Sequence, residues 1–98
     1  MNYENLKPIE IFEDDDKKTQ IFEINGDTVE VVLTEEKEGA KEWIRATGII
    51  NGKEEYIRIN TGPLAKLVEQ FGEEIKAEFE RMVTIEWLKN YVALTNQK

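Results

Sequence analysis

The dipeptide Asn51-Gly52 is the strongest structural constraint in this 98-residue chain. It stands between "WIRATGII" and "KEEYIRIN", two runs rich in β-branched and aromatic residues, and Asn-Gly suits the two positive-φ positions of a type I′ hairpin turn. A two-residue turn fixes the register. Ile50 faces Lys53, and counting outward pairs Gly48 with Glu55, Thr47 with Tyr56, Ala46 with Ile57, Arg45 with Arg58, Ile44 with Ile59 and Trp43 with Asn60. Alternation then assigns Ile44, Ala46, Gly48, Ile50, Ile57 and Ile59 to one face and Trp43, Arg45, Thr47, Ile49, Tyr56, Arg58 and Asn60 to the other. The first is the expected core face, because a slip of one residue would bury both arginines and expose the isoleucines.

The chain contains no cysteine, histidine or serine. Disulfides, thiolate and imidazole metal sites, and Ser-His or Cys-His nucleophile pairs are thereby excluded. The expectation is a non-enzymatic protein with no catalytic residues, cofactor or metal. No run approaches the roughly 18 apolar residues of a membrane helix, and "MNYENLKPIE" lacks the build of a secretory signal, so no membrane partner and an intracellular, cytoplasmic setting are expected. Richness in glutamate and lysine is compatible with a thermophilic source.

The net charge of −8 is unevenly distributed. Residues 1–39 hold four lysines against twelve acids, whereas residues 40–62 hold Lys41, Arg45, Lys53 and Arg58 against three glutamates. The hairpin is the one positive segment of an acidic chain.

Residues 1–25 read as an acidic lead-in or an extra hairpin packed on the domain, with "EDDDKK" as a hairpin loop or a mobile acidic lead-in, and residues 26–98 as the domain proper. "DTVEVVL" alternates as a strand, and "TEEKEGAKE" reads as a polar loop turning at Gly39. In "NTGPLAKLVEQFGEE", Leu64, Leu67, Val68 and Phe71 fall at helical spacing, with Thr61 or Gly62 as cap, Pro63 in the first turn and Gly72 as the stop. Further on, Ile75, Phe79, Met82 and Val83 keep a helical stripe while Val83, Ile85 and Trp87 alternate. The β-branched cluster "VTI" points to a strand over 82–89.

The resulting class is mostly β with one principal helix (α+β). Strand, long hairpin, short helix and final strand, in that order, resemble the oligonucleotide/oligosaccharide-binding (OB) fold, a small Greek-key barrel. "INTGPLAKLVEQFGEE" running into "MVTIEW" is loosely similar to the strand-helix-strand half of small single-stranded DNA-binding proteins of phages and archaea. The resemblance spans about residues 26–90, makes residues 26–98 an OB-like domain, and implies single-stranded DNA or RNA as partner. It assigns Trp43 and Tyr56 as base-stacking platforms, Arg45 and Arg58 as phosphate or base-plane contacts, Thr47 and Asn60 as hydrogen-bonding groups, and Lys41 and Lys53 as flanking cations.

The same face supports a different reading, an acidic protein-interaction or assembly module, because Trp, Tyr and Arg also dominate protein interfaces. Arg45 and Arg58 oppose each other and repel, so they meet either an anionic ligand or internal acids, for which Glu30, Glu42, Glu54 and the 13–16 run are candidates. Trp43 either stacks on a ligand or lies under the N-terminal segment. Trp87 and Phe79 are expected in the core. Asp14, Asp15 and Asp16 are expected to form a solvated turn, since they lack the spacing of a calcium loop.

Overall fold

The computed structural model describes residues 2–96. Five strands, β1 (Glu10–Asp14), β2 (Lys17–Ile24), β3 (Asp27–Glu38), β4 (Lys41–Ile50) and β5 (Lys53–Asn60), form one antiparallel sheet in the order β1-β2-β3-β4-β5. Each pairs with its sequence neighbours. The β4–β5 register is the one the Asn-Gly turn dictates, from Ile50 opposite Lys53 to Trp43 opposite Asn60. Asn25 and Asn51 take φ of 51° and 54°, each followed by a positive-φ glycine, so both Asn-Gly pairs make the tight turns their chemistry favours.

Of the two readings of "EDDDKK", the hairpin is the one observed, with Asp14 opposite Lys17, and the sheet runs unbroken from this hairpin into the rest of the chain. Other expectations need correction. "TEEKEGAKE" is mostly strand rather than loop: β3 continues to Glu38 and β4 begins at Lys41, with Gly39 turning at φ 63°. The sheet is also open, with β1 and β5 as its edges and no pairing among the described residues that closes a Greek-key barrel.

Two helices follow, α1 (Leu64–Phe71) and α2 (Glu73–Thr95). The segment 82–89 is helical, not a strand. Val83, Thr84, Trp87 and Leu88 are its buried residues, a 3.6-residue stripe that packs on the sheet and overrides the strand preference of the "VTI" cluster. Gly72, at φ 89°, separates the helices. Pro63 occupies the N-cap of α1. Thr61, expected as a cap, instead extends the β4–β5 pairing, donating its N–H and hydroxyl to the Glu42 carbonyl at 2.9 and 3.3 Å. No described helix is long and apolar enough to cross a membrane.

The core lies between α2 and one face of the sheet. Phe22, Ile24, Val29, Val31, Leu33, Ile44, Ala46 and Ile50 supply the sheet side, and Val83, Trp87 and Leu88 the helix side. Both Phe79 and Trp87 belong to it, the first partly buried and the second completely. Gln20 Nε2 donates to Thr84 Oγ1 at 3.0 Å, which partners the two polar groups that enter this layer.

Trp87 holds the centre. Its ring lies on Gly48, and its Nε1–H donates to the Glu55 carbonyl at 3.0 Å, Glu55 being the residue opposite Gly48. The β3–β4 pairing ends at Val32 and Thr47, while β3 remains paired with β2 to Asp27 and β4 with β5 to Lys53. Beyond that point β3 and β4 are no longer paired, and Tyr91, stacked on Trp87 with ring centroids 5.8 Å apart, lines the opening between them.

A Cβ on residue 48 would meet Trp87 Cζ2 at 2.5 Å and the Glu30 carbonyl oxygen at 2.6 Å. Gly48→Ala is therefore expected to destabilise the fold by about 1–3 kcal/mol, the usual cost of forcing extra volume into a packed core. Urea unfolding followed by tryptophan fluorescence checks this. A loss within about 0.5 kcal/mol, typical of unconstrained surface sites, would contradict the packing described.

Candidate functional site

The helices cover one face of the sheet, and the other stays open. By strand alternation the open face carries Phe12 of β1, Thr19 and Ile21 of β2, Val32, Thr34 and Glu36 of β3, Trp43, Arg45, Thr47 and Ile49 of β4, and Tyr56, Arg58 and Asn60 of β5. One row crosses the entire sheet: Phe12, Thr19, Val32, Thr47 and Tyr56 lie opposite one another in succession. Three large side chains of this face project into solvent, Phe12 at 55% exposure, Ile49 at 57% and Tyr56 at 52%.

The six hairpin residues Trp43, Arg45, Thr47, Tyr56, Arg58 and Asn60, read as a ligand site in the sequence, share this face, and Lys41 joins them at its end. Lys53 does not. It stands opposite Ile50 on the helix side, with Nζ 4.0 Å from Glu55 Oε1.

Internal partners engage most of the group. Glu36 bridges the two arginines, its Oε1 accepting from Arg45 Nη1 at 2.8 Å and its Oε2 from Arg58 Nη1 at 3.3 Å. Glu38 Oε2 takes a second contact from Arg58 at 3.2 Å. The Arg45 guanidinium lies 3.7 Å over the centroid of the Tyr56 ring, and that of Arg58 4.0 Å over Trp43. Arg45 Nε also donates to Thr47 Oγ1 at 3.3 Å, and Asn60 Oδ1 accepts from the Gly62 N–H at 2.9 Å. The repulsion between the facing arginines is thus answered within the protein. The acids involved are Glu36 and Glu38 of β3, not Glu30, Glu42, Glu54 or the 13–16 run. Nor does the N-terminal segment cover Trp43, for β1 is three strands away from β4. Trp43 instead borders a cleft shared with Leu64, Ala65 and Val68 of α1, and its indole Nε1 is buried without a hydrogen-bond partner.

Ion pairing also sets the acidity of Glu36. The hydrogen bond from Arg45 lowers its pKa below the ordinary 4.5, and the charges of Arg45 and Arg58 act the same way against the opposing effect of burial.

Ile49, Phe12, Glu30 and Glu54 complete the face. Where the two hairpins separate, a slot of about 360 Å³ opens between β3 and β4, lined by Val29, Val32, Thr47, Gly48 and Ile49, with Glu30 and Glu54 at its rim and Tyr91 behind. The sequence already placed Ile49 on the outer face. Phe12 was legible from the alternation in "IEIFED". The slot was not, because nothing local marks where the β3–β4 pairing stops.

Taken together the open face is acidic: Glu10, Asp14, Glu23, Glu30, Glu36, Glu38 and Glu54 stand against Lys17, Lys41, Arg45 and Arg58. Among the described residues, no group of three or more acids is placed to hold a metal ion. Compared with family models, with curated proteins and with solved structures, the chain matches none.

The folded Glu36 carboxylate ionises at lower pH than in the unfolded chain, so the stability it contributes is present above about pH 4.5 and is lost as pH falls through its folded value. Glu36→Gln is expected to be less stable than the native protein at about pH 7, with the gap narrowing as pH falls below the ordinary carboxylate range. Thermal melts across that range check the sign. A gap that stays constant with pH would separate the stability difference from the two arginines.

Proposed function

We propose that the protein is a non-enzymatic interaction module whose open sheet face docks a basic protein partner. One observation carries this reading. Exposed Phe12, Ile49 and Tyr56 form an apolar and aromatic surface set among seven acids and four bases, and two of those bases are already engaged by Glu36 and Glu38. The row from Phe12 to Tyr56 runs across the sheet with charged side chains on both sides of it, an apolar and aromatic strip with a polar border of the kind protein interfaces use, and an acidic border selects a partner rich in lysine or arginine. The slot beside Ile49, between Glu30 and Glu54, fits an anchoring side chain with an aliphatic stem and a cationic head.

The second reading is single-stranded nucleic acid. It draws on the two guanidinium-aromatic pairs, Arg45 over Tyr56 and Arg58 over Trp43, the chemistry by which stacked bases and phosphates are held together. For a polyanion, however, the acids of the same face raise the cost of approach.

Two measurements on one variant separate the readings. Proteins from source cells are captured on the immobilised native chain and on an Ile49→Lys, Tyr56→Ala double variant, and both are titrated with an oligothymidylate while tryptophan emission is followed. The expected outcome is a basic protein retained by the native chain and lost by the variant, with negligible oligothymidylate binding by either. Salt-sensitive oligothymidylate binding that the variant abolishes would instead assign the face to nucleic acid, with a log-log salt slope of about −0.7 per phosphate neutralised.

A further inference from the structure

Away from the hairpin, the edge strand β1, whose Glu10, Phe12 and Asp14 also belong to the open face, presents its outer main-chain edge as a second surface. All five of its residues are exposed, with Ile11 at 51% and Phe12 at 55%, and Ile9 just before it is 59% exposed. Among the described residues it has a neighbour on one side only, so alternate main-chain N–H and C=O groups along its other side point outward, a template for a further strand. Edge strands are commonly blunted with lysine, proline or a bulge. Here the stretch from Ile9 to Asp16 holds five acids and no base. Two of these acids have cations opposite them on β2: Lys18 faces Glu13, with Nζ 3.7 Å away and 3.4 Å from Glu80, and Lys17 faces Asp14. Glu10 faces Ile21 instead.

This charge pattern selects the occupant. Antiparallel pairing of β1 with a second copy, centred on Phe12, would set Glu10 against Asp14 of the other chain and Ile11 against Glu13. Centred between Ile11 and Phe12, it would set Glu10 against Glu13. Either of these registers places like charges directly across the ladder, which is destabilising; centring on Ile11 avoids this, but only Glu10, Ile11 and Phe12 of β1 then pair within the strand.

We propose that β1 accepts an extended lysine- or arginine-bearing segment of another protein as a sixth, antiparallel strand. Main-chain hydrogen bonds supply the attraction and side-chain matching supplies the register. Bases belong opposite Asp14, Glu13 and Glu10, and β-branched residues opposite Phe12, Ile11 and Ile9. Read from its N-terminus, the incoming segment is therefore basic, basic, apolar, apolar, basic, apolar. This assignment does not depend on the aromatic and arginine cluster of the open face, from which β1 is separated by β2 and β3.

The test is a fluorescence-anisotropy titration of the full chain with an end-blocked, labelled hexapeptide, Lys-Lys-Val-Val-Lys-Val. Two control peptides share its side chains: one with their order scrambled, the other N-methylated at alternate residues so that it cannot complete a ladder. The expected result is saturable binding of the parent peptide, at least tenfold weaker binding of both controls and of the parent to Glu10→Lys, and unchanged binding to Tyr56→Ala. Equal binding of the three peptides would reduce the effect to general attraction between opposite charges and overturn the proposal, as would failure of the parent to bind at millimolar concentration. Sedimentation showing a dimer of the native chain that Ile11→Lys dissolves would give the edge to a second copy and likewise overturn it. Loss of parent-peptide binding in Tyr56→Ala would place the peptide on the open face instead.

Discussion

The contact of Trp87 with Gly48 is the constraint on which the rest of the structure depends. It sets the distance between α2 and the sheet, because only a residue without a side chain lets the indole lie against the strand. It also fixes the helix along its axis, since the indole N–H reaches the Glu55 carbonyl. Glu55 is opposite Gly48, so the register written by the Asn51-Gly52 turn places both halves of the receptor for Trp87. Turn chemistry and helix docking are therefore one constraint read at two distances, and burial of the full ring adds a large apolar contribution at that point.

How much of this was legible in the sequence follows the range of the forces involved. The β4–β5 register, both Asn-Gly turns and the helix Leu64–Phe71 are settled by neighbours a few residues apart, and they were readable. Segment 82–89 was not, because Val83, Thr84 and Ile85 favour strands locally while the buried stripe of Val83, Thr84, Trp87 and Leu88 is a tertiary fact. The arginine site was half readable. All of its residues but Lys53 were gathered on one face, but its internal counter-ion was hidden in "TEEKEGAKE", an acid-rich run with poor strand propensity. Pairing with β4 makes that run a strand, setting Glu36 opposite Trp43 and beside Arg45.

Electrostatics gives the two exposed surfaces a common character. On the open face Glu36 and Glu38 spend their charge on Arg45 and Arg58, which leaves Glu30 and Glu54 facing solvent beside Ile49. On the edge, Lys17 and Lys18 moderate Asp14 and Glu13 and leave Glu10 to solvent. Arg45, Arg58 and Lys18 are thus consumed internally, and apolar side chains stand among an excess of carboxylates. Approach of a cationic partner is accelerated by such a field and that of a polyanion slowed, and both effects weaken as salt rises.

Strand order also has a consequence for synthesis. Every strand pairs with its neighbour in the chain, so the sheet needs only short loop closures and can form as the polypeptide emerges. Its apolar face has no cover until α2 arrives, and α2 is the last element of the fold. At about 5–20 residues per second, the nascent meander spends a few seconds with Phe22, Val29, Val31, Leu33 and Ile44 unburied and both edges open. Transiently exposed apolar surface and unpaired strand edges of this kind are what chaperones shield in other proteins.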